Sequence, residues 1–142
     1  MKSRKLKLWV EGARLRTLPL AIAPVAIGAG AADSVQAFDL TLTLLALSVA
    51  LFLQIGVNYA NDYSDGVRGT DDYRVGPLRL TGSKSVKPEA VKLAAFAFFG
   101  LAAASGLAIV LITGMFWLIA VGFAAIVAAW FYTGGKNPYG YA

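Results

Sequence analysis

At 142 residues the chain is 58% hydrophobic and only 15% charged, with a mean hydropathy of +0.64. A soluble domain is nearer half apolar and a quarter charged, and here the charges are segregated, leaving uncharged runs long enough to cross a bilayer. The absence of Cys rules out disulfides and thiolate sites, the absence of His removes the commonest general base, and a net charge of +5 on such a chain speaks for membrane ends and phosphorylated ligands rather than nucleic acid.

Met1 to Arg16 carries Lys2, Arg4, Lys5, Lys7, Arg14 and Arg16 together with Trp9, the pattern of a segment lying at a membrane surface. A charged start before an apolar core also fits a signal peptide. Pro19, Pro24 and the membrane sequence behind them argue against cleavage. Residues 17–33 form a short first span, with Pro19 suited to a first helical turn and Pro24 expected to kink the helix. After a polar turn, residues 40–60 make a second, uncharged span in which Gln54 and Asn58 share a face. Polar groups inside a membrane point into the bundle as glue or as a site, and Gln54 reads as glue.

Residues 61–89 are the long connection, and its Asp, Arg and Gly-Pro content is unlike a flexible linker. Residues 92–113 form an Ala-rich third span and Gly114 marks a turn. Residues 115–133 form a fourth, with Trp117 and Trp130-Phe131-Tyr132 as interfacial anchors at its ends. Residues 133–142 read as a Gly-rich turn. The expected fold is all-α, a multi-span transmembrane helical bundle forming a single membrane domain over residues 1–142. All 13 Lys and Arg fall in Met1–Arg16, in Arg68–Lys92 or at Lys136, whereas the turns after the first and third spans carry only Asp33 and Asp39. The positive-inside rule then places the N-terminus, the Asp-rich loop and the C-terminus in the cytoplasm.

If the second helix runs on through the start of the loop, Asn58, Asn61, Asp62 and Asp65 stand at i, i+3, i+4 and i+7, one stripe of one face. Mg²⁺ takes hard oxygen ligands and is usually held by one or two carboxylates plus substrate phosphate oxygens. Two carboxylates on one face with amides beside them provide that arrangement, Asn58 standing on the substrate side. Arg68, Arg74, Arg79 and Lys84 then supply the cationic half of a diphosphate clamp. The bland alternative is a solvated loop whose Asp and Arg residues pair with one another. The helical spacing directly off a membrane span favours the site over that reading, except at Asp72.

Asn61-Asp62-Tyr63-Ser64-Asp65, then Gly69-Thr70-Asp71, then Arg74-Val75-Gly76-Pro77-Leu78-Arg79 resembles the first aspartate-rich motif of the UbiA-type intramembrane prenyltransferases. It is most similar to the branch that prenylates 1,4-dihydroxy-2-naphthoate on the way to menaquinone. Arg14-Leu15-Arg16-Thr17-Leu18-Pro19, Tyr132-Thr133-Gly134-Gly135 and Pro138-Tyr139-Gly140-Tyr141 also look like that branch. The resemblance implies a bundle of about nine helices in a bacterial inner membrane. It also implies two facing aspartate-rich motifs and Mg²⁺ gripping a prenyl diphosphate. An allylic carbocation is then attacked by the aromatic ring, which loses CO₂. Carried onto this chain, it makes Asp62 and Asp65 catalytic and places them with Asn61 and Asp71 on the metal side. Arg16, Arg68, Arg74, Arg79 and Lys84 become partners of the diphosphate or the ring carboxylate. The family's spacing would put an acid at Gly69, where this chain has its next acid at Asp71. No second aspartate-rich motif follows Lys92. The chain therefore reads as an N-terminal fragment with about four of the spans, expected to be inactive alone.

Three other readings compete. Asp65-Gly66-Val67-Arg68 begins like the motif of CDP-alcohol phosphotransferases, but the later parts of that motif are missing. A small cation-coupled carrier would keep its acids near the bilayer middle, and here they stand at a helix end beside a basic loop. A prenyltransferase for another aromatic acceptor shares every feature above except the branch likeness.

Overall fold

A computed structural model of the protein describes residues 2–69 and 79–141, with side chains from residue 6 onward. Among the described residues there are five α-helices and no strand: α1 (Lys2–Gly12), α2 (Leu18–Ser34), α3 (Leu40–Arg68), α4 (Pro88–Thr113) and α5 (Leu118–Phe131). Three stretches are long and apolar enough to cross a membrane, Leu6–Ser34, Leu40–Arg68 and Pro88–Thr113. The protein is a multi-pass membrane helical bundle.

The helix boundaries follow from local chemistry. Arg14 takes a left-handed conformation (φ 51°) and breaks the chain between α1 and α2, with a short 3₁₀ turn at Leu15–Thr17. Pro19 lies in the first turn of α2, and the helix runs on through Pro24. Asp39 caps α3, its carboxylate accepting the Leu42 N–H at 2.8 Å. The helix runs on through Gly56 and Gly66 to Gly69, which adopts φ 74° and closes it with a hydrogen bond to Asp65 O. So α3 is 29 residues long and carries the whole Asn/Asp stripe on helix, eight residues beyond the expected end of the span. Pro88 starts α4 earlier than expected, and Gly114 at φ 71° ends it. The turn at Met115–Trp117 delays α5 to Leu118, so the fourth expected span is a helix of 14 residues. At 1.5 Å per residue it covers roughly 21 Å, short of a hydrocarbon core about 30 Å thick.

The best-packed region gathers at the charged end of the bundle, where α3 meets α4. Ala13, Tyr59, Ala60, Leu80, Val91, Ala95 and Phe99 form one buried cluster. Gly56 allows the approach: a Cβ there would lie 2.7 Å from the Phe99 ring and 3.3 Å from Ala95 O. Leu20, Ile27, Leu93 and Phe123 are each at least 70% exposed, as expected of side chains that face lipid.

The elbow between α1 and α2 is fastened to α3 by amides. Asn58, 3% exposed, donates from Nδ2 to Ala13 O and to Thr17 Oγ1, both at 2.9 Å, and Gln54 Nε2 donates to the same hydroxyl at 3.2 Å. The Thr17 hydroxyl in turn donates to Arg14 O at 2.9 Å. Truncating Asn58 strands a buried carbonyl and removes a support of the elbow. Asn58→Ala is expected to lower stability by about 1–3 kcal/mol, measurable as earlier thermal unfolding in detergent.

Candidate functional site

Because α3 continues through Arg68, its last turns present Asn58, Asn61, Asp62 and Asp65 on one stripe, and each is engaged by groups from elsewhere in the chain. Asn58 faces the elbow. The Asn61 Oδ1 accepts the Thr133 hydroxyl at 2.7 Å, which brings in the segment after α5. Asp62 is 1% exposed, and its carboxylate oxygens accept the backbone N–H groups of Leu80 and Thr81, both at 2.9 Å. Asp65 stands 3.3 Å from Arg79 Nη2 and accepts the Tyr141 hydroxyl.

Cations surround the outer end of this stripe. Arg68 donates to Gly135 O and lies 5.3 Å from the centre of the Tyr141 ring. Arg79 follows Gly69 by ten residues yet meets Asp65, because the Arg79–Thr81 segment lies against α3. Lys84 sits at a left-handed turn (φ 56°) with its side chain in the open, and Arg16 is exposed on the 3₁₀ turn. The structure thus brings Arg68 and Arg79 to the Asn61–Asp65 end. Asn58 is committed to the elbow, one helical turn away. Asp71 and Arg74 lie outside the described residues.

Among the described residues no group of three acidic side chains closes into a metal cage. The donors nevertheless suit a cation completed by ligand oxygens. Asn61 and Asp65, one helical turn apart and partly exposed, offer hard oxygens of the kind Mg²⁺ takes when phosphate supplies the rest. Asp62 belongs to the same expected set but is covered by the returning loop.

Three participants were not singled out as site residues in the sequence, although Thr133 and Tyr141 lie in stretches that carry the branch likeness. Thr133 and Tyr141 reach the stripe from the segment read there as a simple turn, 72 and 76 residues along the chain. The clustering of tyrosines in a Gly-rich tail was the available signal. Lys92 was counted only as a loop charge. It lies 5.7 Å from the ring centre of Tyr63 and 5.8 Å from that of Trp130, and those two rings stack at 6.2 Å. An open groove of about 350 Å³ lies between α2, α3 and α5, with Pro24, Gln54, Tyr132 and Tyr139 in its walls.

Comparison with known proteins bears on this site. No family model and no solved structure matches the chain. It is 58% identical over 134 residues to the 1,4-dihydroxy-2-naphthoate octaprenyltransferase of Mycobacterium tuberculosis, covering 94% of this chain and 46% of that protein. Proteins of the same name match at 39% identity in Escherichia coli (96% of this chain, 46% of the relative) and 36% in Haemophilus influenzae (99% and 48%). The chain spans about half the length of the curated relatives it matches. Over nearly all of its own length, then, the chain is similar to about half of each of several curated proteins named 1,4-dihydroxy-2-naphthoate octaprenyltransferase.

Proposed function

We propose that this chain forms the diphosphate-binding half of a membrane prenyltransferase. In this reading a polyprenyl group passes from its diphosphate to 1,4-dihydroxy-2-naphthoate, giving demethylmenaquinone, CO₂ and pyrophosphate. The observation that carries the reading is the Asn61–Asp65 stripe facing Arg79 and Arg68, on a chain 58% identical to a protein of that name. Asn61 and Asp65, with Asp71, would hold Mg²⁺. Once bound, the ion would neutralise the charge that builds on the departing pyrophosphate. Arg79 would exchange its carboxylate partner for diphosphate oxygens, a planar guanidinium being suited to both. Arg68 stands ready for the same ligand from the end of α3. The groove beside Gln54 and Tyr132 offers an apolar wall for the chain that follows the diphosphate.

The bacterial origin of the relatives supports a location in a bacterial inner membrane, and the basic ends support an N-terminus and Asp-rich loop on the cytoplasmic side. Prenyl diphosphate would then reach the site from the cytosolic side.

Two measurements test this reading. Membranes carrying the protein as its gene encodes it are supplied with a long-chain prenyl diphosphate and dihydroxynaphthoate, with Mg²⁺ or with EDTA. A prenylated naphthoquinone is expected only with Mg²⁺, and Asp65→Asn should cut turnover by about 100-fold while membrane insertion is kept. Pyrophosphate release with a different aromatic alone would move the acceptor, and cation flux indifferent to prenyl diphosphate would favour a carrier. Separately, Lys87→Cys is expected to react with an impermeant maleimide in inside-out vesicles and not in right-side-out ones. The reverse pattern would invert the topology.

A further inference from the structure

Asp62 stands between the two residues that carry the metal reading, yet its carboxylate faces another part of the chain. Its oxygens grip two consecutive amides, Leu80 and Thr81, 18 and 19 residues on, where the polar loop returns to α3. The fit around this grip is close on both sides. One turn along α3, a Cβ on Gly66 would collide with the Thr81 side chain and come 3.0 Å from Gly82 N. On the other side Leu80, 1% exposed, fills the space that a Cβ on Gly12 would need, against the ring of Tyr59. Hydrogen bonds to a buried carboxylate are charge-assisted, so two of them on adjacent amides fix both position and direction of the turn.

The residue immediately before this turn is Arg79, whose guanidinium lies 3.3 Å from Asp65. Wherever Leu80 and Thr81 are held, Arg79 is aimed. We propose that Asp62 is a positioning residue that docks the returning loop on α3 and sets Arg79 over Asp65 for diphosphate binding, and is not itself a metal ligand. The inference rests on the diphosphate reading above, but the grip can be observed without it. A carboxylate that is 1% exposed and accepts two amides leaves little room for a hydrated cation, whereas Asn61 and Asp65 remain partly open.

The test uses the full protein in detergent or nanodiscs and reads two quantities. The first is hydrogen exchange at the Leu80 and Thr81 amides, without substrate. Slow exchange is expected in the wild type and in Asp65→Asn, with acceleration of about 10-fold or more in Asp62→Asn. Rapid exchange in the wild type overturns the proposal without any variant. The second is kinetic. Asp62→Asn should raise KM for prenyl diphosphate by about 10-fold while shifting the Mg²⁺ concentration for half-maximal rate less than about 3-fold. Asp65→Asn should move the Mg²⁺ dependence instead. A shift in Mg²⁺ dependence in Asp62→Asn as large as in Asp65→Asn would make Asp62 a ligand and overturn the proposal. A wild type that transfers no prenyl group defeats the functional reading, and the exchange rates still decide the grip.

Discussion

A polar side chain on the buried end of a membrane helix has little water to fall back on, so it must be satisfied by protein or pay the desolvation cost. On α3 this constraint falls on Asn58, Asn61, Asp62 and Asp65 at once, and each meets it with groups from elsewhere in the chain. The α1–α2 elbow, the tail after α5, the Leu80–Thr81 turn and Arg79 all converge on one helical stripe. The same groups that suit a charged ligand therefore also assemble the end of the bundle that would receive it.

The remainder of the bundle is held by a different kind of force. In lipid, apolar side chains gain little by meeting one another, so helices associate through close packing and polar contacts. The α3–α4 pair shows the first, with Gly56, Ala60 and Ala95 letting Phe99 approach the backbone of its neighbour. Thr17, Gln54 and Asn58 show the second, a hydroxyl and two amides joining α2 to α3. Large exposed side chains along α2 and α5 contribute surface for lipid instead of internal cohesion.

How much of this was legible in the sequence depended on whether the information was local. The stripe could be read because helical periodicity alone puts Asn58 and Asp65 on one face, and α3 does continue that far. Asp39, Gly69 and Pro88 also act at the residue level, yet the apolar runs alone put the span ends at 60 and 92, inside the helices that these residues bound. What each side chain would touch was not local. Asn58 and Asp62 have the chemistry of ligand-binding groups, and only the fold reveals that one fastens an elbow and the other a loop. Nothing in the spacing announced that Thr133 would meet Asn61 or that Lys92 would sit over Tyr63 and Trp130. The expected span at 115–133 exceeds α5 because an apolar run reports composition, while the turn at Met115–Trp117 and the end at Phe131 shorten the helix.

The tie between Asn61 and Thr133 has a consequence for the order of events at the ribosome. The two residues are 72 apart, so the polar end of α3 is synthesised well before its tail partner exists. At 5–20 residues per second the delay is roughly 4–14 seconds. During that interval Asp65 can already meet Arg79, whereas Asn61 is left to water, lipid headgroups or the insertion machinery. Of the contacts that satisfy the stripe, those from Thr133 and Tyr141 are therefore the latest that synthesis makes possible, long after the Leu80–Thr81 turn can dock.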